Sequence, residues 1–457
     1  MLQLARASER TPVLVDNSYM KDMHKLHQRL AGWLRARLQE IQPSEEDDPR
    51  KKRGRRWKFS SLTSMTVVGL CAGMKSFRQI ESLSESLSLG MRRFLDIART
   101  VADTTLRDAM VKTVPDVARR MIHAVVKQAR RRKLLEPVGL PFGVAVMDGK
   151  SVTLDSWDDH YAVQRVNKET FHSYGLLRTI SCCLVSSASA ICLDAIPLVG
   201  DTNEVGFFQQ ALTQLLSVYG KGLFRLVSYD AGGCSEDNAD FVVAQGLDYF
   251  FGIKGNQKGI YETLKRMFAP FKPEQACAKT EDVLSNKQVL TRRIFIFTEK
   301  PLFRWSHART FIRVDSEIRD AKGNIVQQQL PTKKYVDFIT RYFISSAETK
   351  VMTNAQWLLV VRKHWAVENN LHHTLDTAFK EDRFPFMPSS PIGSLIILLL
   401  RRVAYNLIAL FRTSAADKND LPLPWLFFMQ NLYVTLVSAT EKLLDSLRSP
   451  RAVPASP

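Results

Sequence analysis

Two acids in this chain stand where an apolar run gives way to small residues. Phe142–Lys150 reads FGVAVMDGK and ends at Asp148-Gly149-Lys150. Leu223–Gly233 reads LFRLVSYDAGG and repeats the pattern around Asp230. A short apolar run rich in β-branched residues is the mark of a strand buried on both faces. Each acid is therefore expected at a strand's carboxyl end, where open α/β sheets place their ligands. If the two strands are neighbours, the carboxylates lie side by side and repel, and either a proton or a shared cation must settle them. Mg²⁺ or Mn²⁺, hard ions that take oxygen ligands, suit such donors. A third acid, Glu368, lies in Val360–Asp382, VVRKHWAVENNLHHTLDTAFKED. With about 3.6 residues per turn, it shares a helix face with His364, Leu371, His372 and Leu375 and could close a three-carboxylate site. Glu381 and Asp382, at the end of that helix, are expected in water. The plainer alternatives are ordinary Asp-Gly turns and a surface helix.

The elements that must hold these acids can be read around them. Strands are expected at 142–148, 174–186, 189–199, 223–229 and 248–253, with helices over 204–219 and Asp237–Gln245. That order predicts a mixed sheet: an antiparallel meander of three strands continued by parallel βα units. Arg292–Phe297, Thr310–Val314 and Phe338–Ser345 read as further strands, a β-rich piece over about 279–346 set before the helix of Glu368. Helices are expected over Ala355–Lys380, Ile392–Arg412 and Leu426–Leu447. Ahead of the first strand the spacing is helical over 19–42, 60–75, 76–89, 90–98 and 101 to about 133. Within it, Thr100–Met110 fits either the second helix of a helix-turn-helix or a plain core helix. The expected organisation is a helical, basic DNA-binding domain (1–137), an α/β catalytic domain (138–412), and a carboxyl-terminal helix with a Pro- and Ala-rich tail (413–457).

Composition narrows the partners. A chain of 457 residues, 45% hydrophobic, can bury a large core, and its net charge of +18 points to a polyanion, nucleic acid before a membrane surface. The charge is clustered: RKKRGRRWK places Arg50, Lys51, Lys52, Arg53, Arg55, Arg56 and Lys58 around Trp57. Such a run contacts phosphate backbones, acts as a targeting signal, or is simply solvated. Lys150, Lys254, Asn256 and Gln257 fall near strand ends on the rim of the acids, where lysine gives charge and the amides give directional bonds to phosphate. The six cysteines form no CxxC pair, so reduced thiols are expected rather than disulfides or zinc. The polar amino terminus shows no signal peptide, and Leu395–Leu400 is cut short by Arg401 and Arg402. A cytoplasmic, nucleoid-associated protein without a membrane partner is expected.

In sequence order the chain carries Asp148-Gly149-Lys150, Tyr229-Asp230-Ala231, Gly233-Cys234, Lys254-Gly255-Asn256-Gln257 and Ser345-Ser346. These are followed by Arg362, His364-Trp365, Val367-Glu368-Asn369, Leu371-His372 and Glu381-Asp382. Together with Asp48-Pro49-Arg50, Arg55-Arg56 and Asp103-Thr104-Thr105, this set resembles the DDE-type transposases of bacterial insertion sequences. The similarity is to the branch with a β-strand insertion, near the H-repeat-associated proteins, over roughly residues 40–412. The resemblance implies a ribonuclease-H-like fold with Asp148, Asp230 and Glu368 as the catalytic, metal-binding acids. It implies two ions, Mg²⁺ or Mn²⁺: one activates water or a 3′-hydroxyl, the other stabilises the leaving oxygen. The implied partners are double-stranded DNA, as element ends and as target, and a second copy of the chain in a synaptic complex. Arg362, His364, Asn369 and His372 are read as DNA contacts on the helix of Glu368. Better-known relatives carry Arg four before the glutamate and Lys seven after; His364 and Leu375 stand there, so contacts cannot be copied from those relatives. Two other functions stay open: a DNA-binding relative without catalysis, and a structure-specific nuclease on the same fold.

Overall fold

The computed structural model describes residues 17–448 apart from 54, 98, 203, 231, 285, 299–304, 306, 330–333 and 415–422. The expected tail from Ser449 lies outside the described residues. Six helices come first: α1 (Asn17–Glu40), α2 (Phe59–Cys71), α3 (Phe77–Ser86), α4 (Leu89–Phe94), α5 (Asp103–Lys112) and α6 (Pro115–Arg131). The single helix expected over 101–133 is thus two. Pro115 opens α6 at a position where its missing N–H costs nothing, and α5 stops just before it.

The central sheet begins with β1 (Val144–Leu154), β2 (Ala162–Val166), β3 (Ser173–Leu184) and β4 (Cys192–Pro197). Next come α7 (Glu204–Tyr219), β5 (Leu226–Tyr229), α8 (Glu236–Ala244), β6 (Asp248–Ile253) and α9 (Lys258–Phe268). β3 runs antiparallel to both β1 and β4, while β1, β5 and β6 are parallel. The order β4-β3-β1-β5-β6, an antiparallel meander continued by parallel strands, is the ribonuclease-H-like mixed sheet. β2 is an unexpected strand on the same edge of β3 as β4; its alternation over AVQRV is too short to stand out.

The β-rich piece holds β7 (Ala278–Val283), β8 (Val289–Phe297), β9 (Thr310–Arg319), β10 (Gln328–Gln329), β11 (Tyr335–Val336) and β12 (Phe338–Ser345). It does not form a layer of its own. β12 pairs antiparallel with β6, and β9, β8 and β7 follow, so the insertion extends the central sheet to ten strands. The chain closes with α10 (Asn354–His364), a π-helical turn (Val367–His372), α11 (His373–Thr377), α12 (Pro391–Ser414), α13 (Trp425–Ser438) and α14 (Glu441–Arg448).

α12 is the hub of the helices. By length and hydropathy it is the one described helix that could cross a membrane, yet its most apolar stretch is wholly buried inside the protein. Arg401 and Arg402 do not end it in water. Both are buried; Arg402 pairs with Glu381, and Arg401 donates to the Phe384 carbonyl. α2, α5 and α6 pack on α12, and α1 packs on α13. α6 is also tied to the sheet: Asp194 of β4 accepts from Arg119 at 2.7 Å and lies 2.9 Å from His123 Nε2. Burial raises the Asp194 pKa, but His123 and Arg119 outweigh it and hold the group below the usual range. The helices ahead of residue 137 therefore share one core with the carboxyl-terminal helices and have no separate core of their own.

Candidate active site

β1 and β5 run parallel with Met147 beside Tyr229, so Asp148 and Asp230 are the next residues along adjacent strands about 4.8 Å apart. The segment after β5 holds Asp230 in place. Its Oδ1 accepts the Gly232 N–H at 2.8 Å, and a Cβ on Gly232 would come within 2.9 Å of that oxygen. The small residue is needed for this close approach. Asp230 Oδ2 lies 3.4 Å from Lys254 Nζ. Asp148 is partly buried, with His372 Nδ1 3.3 Å from its Oδ2. Each acid thus already has a positive or protonatable group beside it. This is the donor chemistry that a hard divalent cation suits: two carboxylates needing charge between them.

Glu368 arrives from a different direction. The π-helical turn widens the winding just where a 3.6-residue repeat is expected, and the faces shift. His364, Leu371, His372 and Leu375 are buried, whereas Glu368 is exposed. It does not share their face. Instead it lines a cavity of about 490 Å³ together with Arg292, Arg341, Arg362 and Trp365. The turn itself packs against β1 and β3, which keeps Glu368 within one turn of the residue touching Asp148. Among the described residues, no three His, Cys, Asp or Glu side chains stand close enough to hold a metal ion together.

The expected phosphate contacts divide by burial. Lys51, Lys52, Arg53, Arg56, Lys254, Asn256, Arg362 and Asn369 are exposed. Arg50 and Arg55 are turned inward: both pair with Asp48, and Arg50 also donates to the Trp57 carbonyl at 2.7 Å. They brace the basic loop instead of presenting charge. Lys150 is another correction. Its side chain is 7% exposed and reaches Asp376 at 2.8 Å and Asp382 at 3.3 Å. Gln257 folds back to the Cys234 carbonyl at 3.1 Å. His364 and His372 are buried and offer no surface for a phosphate.

His364 has a different task. The Ser228 hydroxyl donates to the Phe250 carbonyl at 2.8 Å, so its 2.7 Å contact with His364 Nδ1 makes the imidazole N–H the donor. Burial pushes the His364 pKa down to about 4, with Asp230 and Asp148 pulling weakly the other way. A neutral imidazole thus braces α10 under both acids. Glu381 overturns its expectation as well: it is fully buried on Arg402. Arg292 and Arg341 are not among the residues expected at the site. Their signal in the sequence is faint, a polar residue within each of the two strands RRIFIF and FITRYFIS.

Comparison with known proteins follows the same lines. YbfL and the H repeat-associated YhhI of Escherichia coli K12 are each 23% identical to this chain, over 71% of it and 78% of their own lengths. YncI of E. coli O157:H7 is 20% identical over 77% of this chain and 82% of its own. Among solved structures, a piggyBac transposase synaptic complex with hairpin DNA matches at TM-score 0.40 and 14% identity, covering 94% of this chain and 82% of that one. Residues 144–407, from the first residue of β1 into α12, match the family described as the transposase DDE domain. With more than half its length in that match, the chain belongs to the DDE transposase domain family.

Proposed function

We propose that this transposase cuts and joins DNA strands at the ends of its own mobile element, with Asp148, Asp230 and Glu368 as the acids of the reaction. The observation that carries the reading is the placing of Asp148, within β1 where its parallel pairing with β5 stops, next to Asp230, which follows the last residue of β5, in a family that uses divalent metal ions. Only Asp230 stands at a strand end as expected, since β1 runs on to Leu154. Asp148 and Asp230 would hold the metal, and Glu368, which stands apart from them in this structure, would have to close on it from the π-helical turn. Bound there, divalent ions would supply the charge that activates an attacking oxygen and steadies the leaving one. The chain's own part is placement. Gly232 fixes the Asp230 carboxylate, neutral His364 braces the helix beneath the acids, and Lys254 is close enough to meet a phosphate beside Asp230. The exposed Lys51, Lys52, Arg53, Arg56, Asn256, Arg362 and Asn369 are the proposed DNA contacts, and two copies would act on two ends.

The test is cleavage of a supercoiled plasmid carrying the element with its ends. Wild type should cut with Mg²⁺ or Mn²⁺ and not in EDTA. Asp148→Asn, Asp230→Asn and Glu368→Gln should each lower cutting by more than about a hundredfold, the scale of losing a group that acts on transition-state charge. Glu368→Asp should also lose most activity, because metal–oxygen distances leave little slack. DNA binding should survive in all four. Cutting within about tenfold of wild type by any of the asparagine or glutamine variants would remove that acid from the site.

A further inference from the structure

Three arginines converge on one cavity, and two of them, Arg292 and Arg341, have no task in strand cleavage as proposed. Arg292 of β8, Arg341 of β12 and Arg362 of α10 line the 490 Å³ cavity that carries Glu368. Like charges gathered this way need an anion to offset them. Asp282 of β7 does this for two: it pairs with Arg292 and lies 2.9 Å from Arg362. It also holds both guanidinium groups in fixed orientation, which lowers the cost of binding something else. Arg341 makes no ion pair among the described residues. It lies over the Trp365 ring, 5.0 Å from the centroid, and stays accessible to solvent. Partial burial lowers its pKa, the like charge of Arg292 adds to this, and Glu368 opposes it. Arg341 and Trp365 also wall a second cavity, of about 130 Å³, lined by Asp230, Lys254 and His364. The two cavities are therefore neighbours that share Arg341 and Trp365 in their walls.

We propose that the Arg292–Arg341–Arg362 cavity is a phosphate subsite for the backbone of the DNA strand being cut, placed beside the acids. The inference rests on the strand-cleavage reading. A phosphodiester offers one negative charge and two acceptor oxygens, which planar guanidinium forks match better than ammonium groups do. Two of the arginines come from the insertion and one from the helix that leads to Glu368. A phosphate held by all three fixes the strand against the acids. The insertion thereby becomes part of the strand's track.

The test uses the full chain in EDTA with a fluorescein-labelled oligothymidylate, followed by anisotropy across a salt series. Arg341→Gln and Arg292→Gln should each weaken binding by about tenfold, the scale of removing a charge-assisted hydrogen bond. Each should flatten the salt slope by about 0.7, the share of one single-strand phosphate. Arg341→Lys should recover part of the affinity, since it keeps charge without the fork. Melting curves check the fold, and Arg292→Gln carries the test if Arg341→Gln melts early. Wild-type affinity and slope in a folded Arg292→Gln or Arg341→Gln would overturn the subsite. With plasmid cleavage intact, that result would leave the strand-cleavage reading standing. A wild-type protein that neither binds the oligonucleotide nor cuts plasmid would remove both. Inorganic phosphate should compete no better than chloride at matched ionic strength. Arg341-dependent binding of free phosphate tighter than of the oligonucleotide would assign the cavity to a small anion and overturn its assignment to DNA.

Discussion

His364 and Glu368 are four residues apart, yet one is buried under the acids and the other is open to solvent. The buried imidazole has a consequence for stability. Its pKa, about 4 in the folded chain, lies below the ordinary value near 6.5. Above about pH 6.5 the group is neutral in both states and contributes no pH dependence. As pH falls from there toward 4, the unfolded chain takes up the proton first, and stability is lost. Between about pH 6.5 and 5 the loss should approach ~2 kcal/mol. Denaturation at both pH values should show it in wild type and not in His364→Gln, which starts lower but falls less. Equal falls in both proteins would count against a buried neutral imidazole. That Asp148 and Asp230 fall on neighbouring strands is legible because apolar runs mark both strands. The burial of His364 is not, because its partners Ser228 and Phe250 come from strands far away in the sequence.

Elements are legible where a local pattern decides them and illegible where a distant partner does. The meander and the two βα units follow from apolar runs and their spacing. The joining of β12 to β6 does not, since nothing in FITRYFIS names the strand it pairs with. The π-helical turn also escapes, because a 3.6-residue repeat assigns faces only while the winding holds. Glu381 shows the cost of that. By its place in the sequence it is a helix-end acid in water, but α12 presents Arg402 to it, and both side chains are fully buried. Burial raises the Glu381 pKa, and Arg402 and Arg401 outweigh it, so the carboxylate stays ionised. Glu381→Gln leaves Arg402 charged in the core and should destabilise by about 3–5 kcal/mol. Replacing both together, Glu381→Leu with Arg402→Met, should recover much of the loss. Denaturation midpoints check this. A Glu381→Gln protein as stable as wild type would mean that the pair does not hold α12 to the segment that follows α11.

The whole molecule combines a charge of +18 with a core that runs from α1 to α14. The exposed Lys51, Lys52, Arg53 and Arg56 can be neutralised without touching that core. Changing all four to Gln should leave melting unchanged and flatten the salt slope of duplex binding by about 0.9 for each phosphate no longer neutralised. An unchanged slope would place the recognition of DNA elsewhere. Removal of residues 1–137 is a different operation: it strips α2, α5 and α6 from α12. The expected product is insoluble, not a catalytic fragment. The place of α12 in the chain also sets an order of events during synthesis. The first helices leave the ribosome long before residues 391–414 exist to cover them, and their apolar faces must wait. Nascent or prematurely terminated chains that lack α12 should therefore be the forms most exposed to chaperones and proteases.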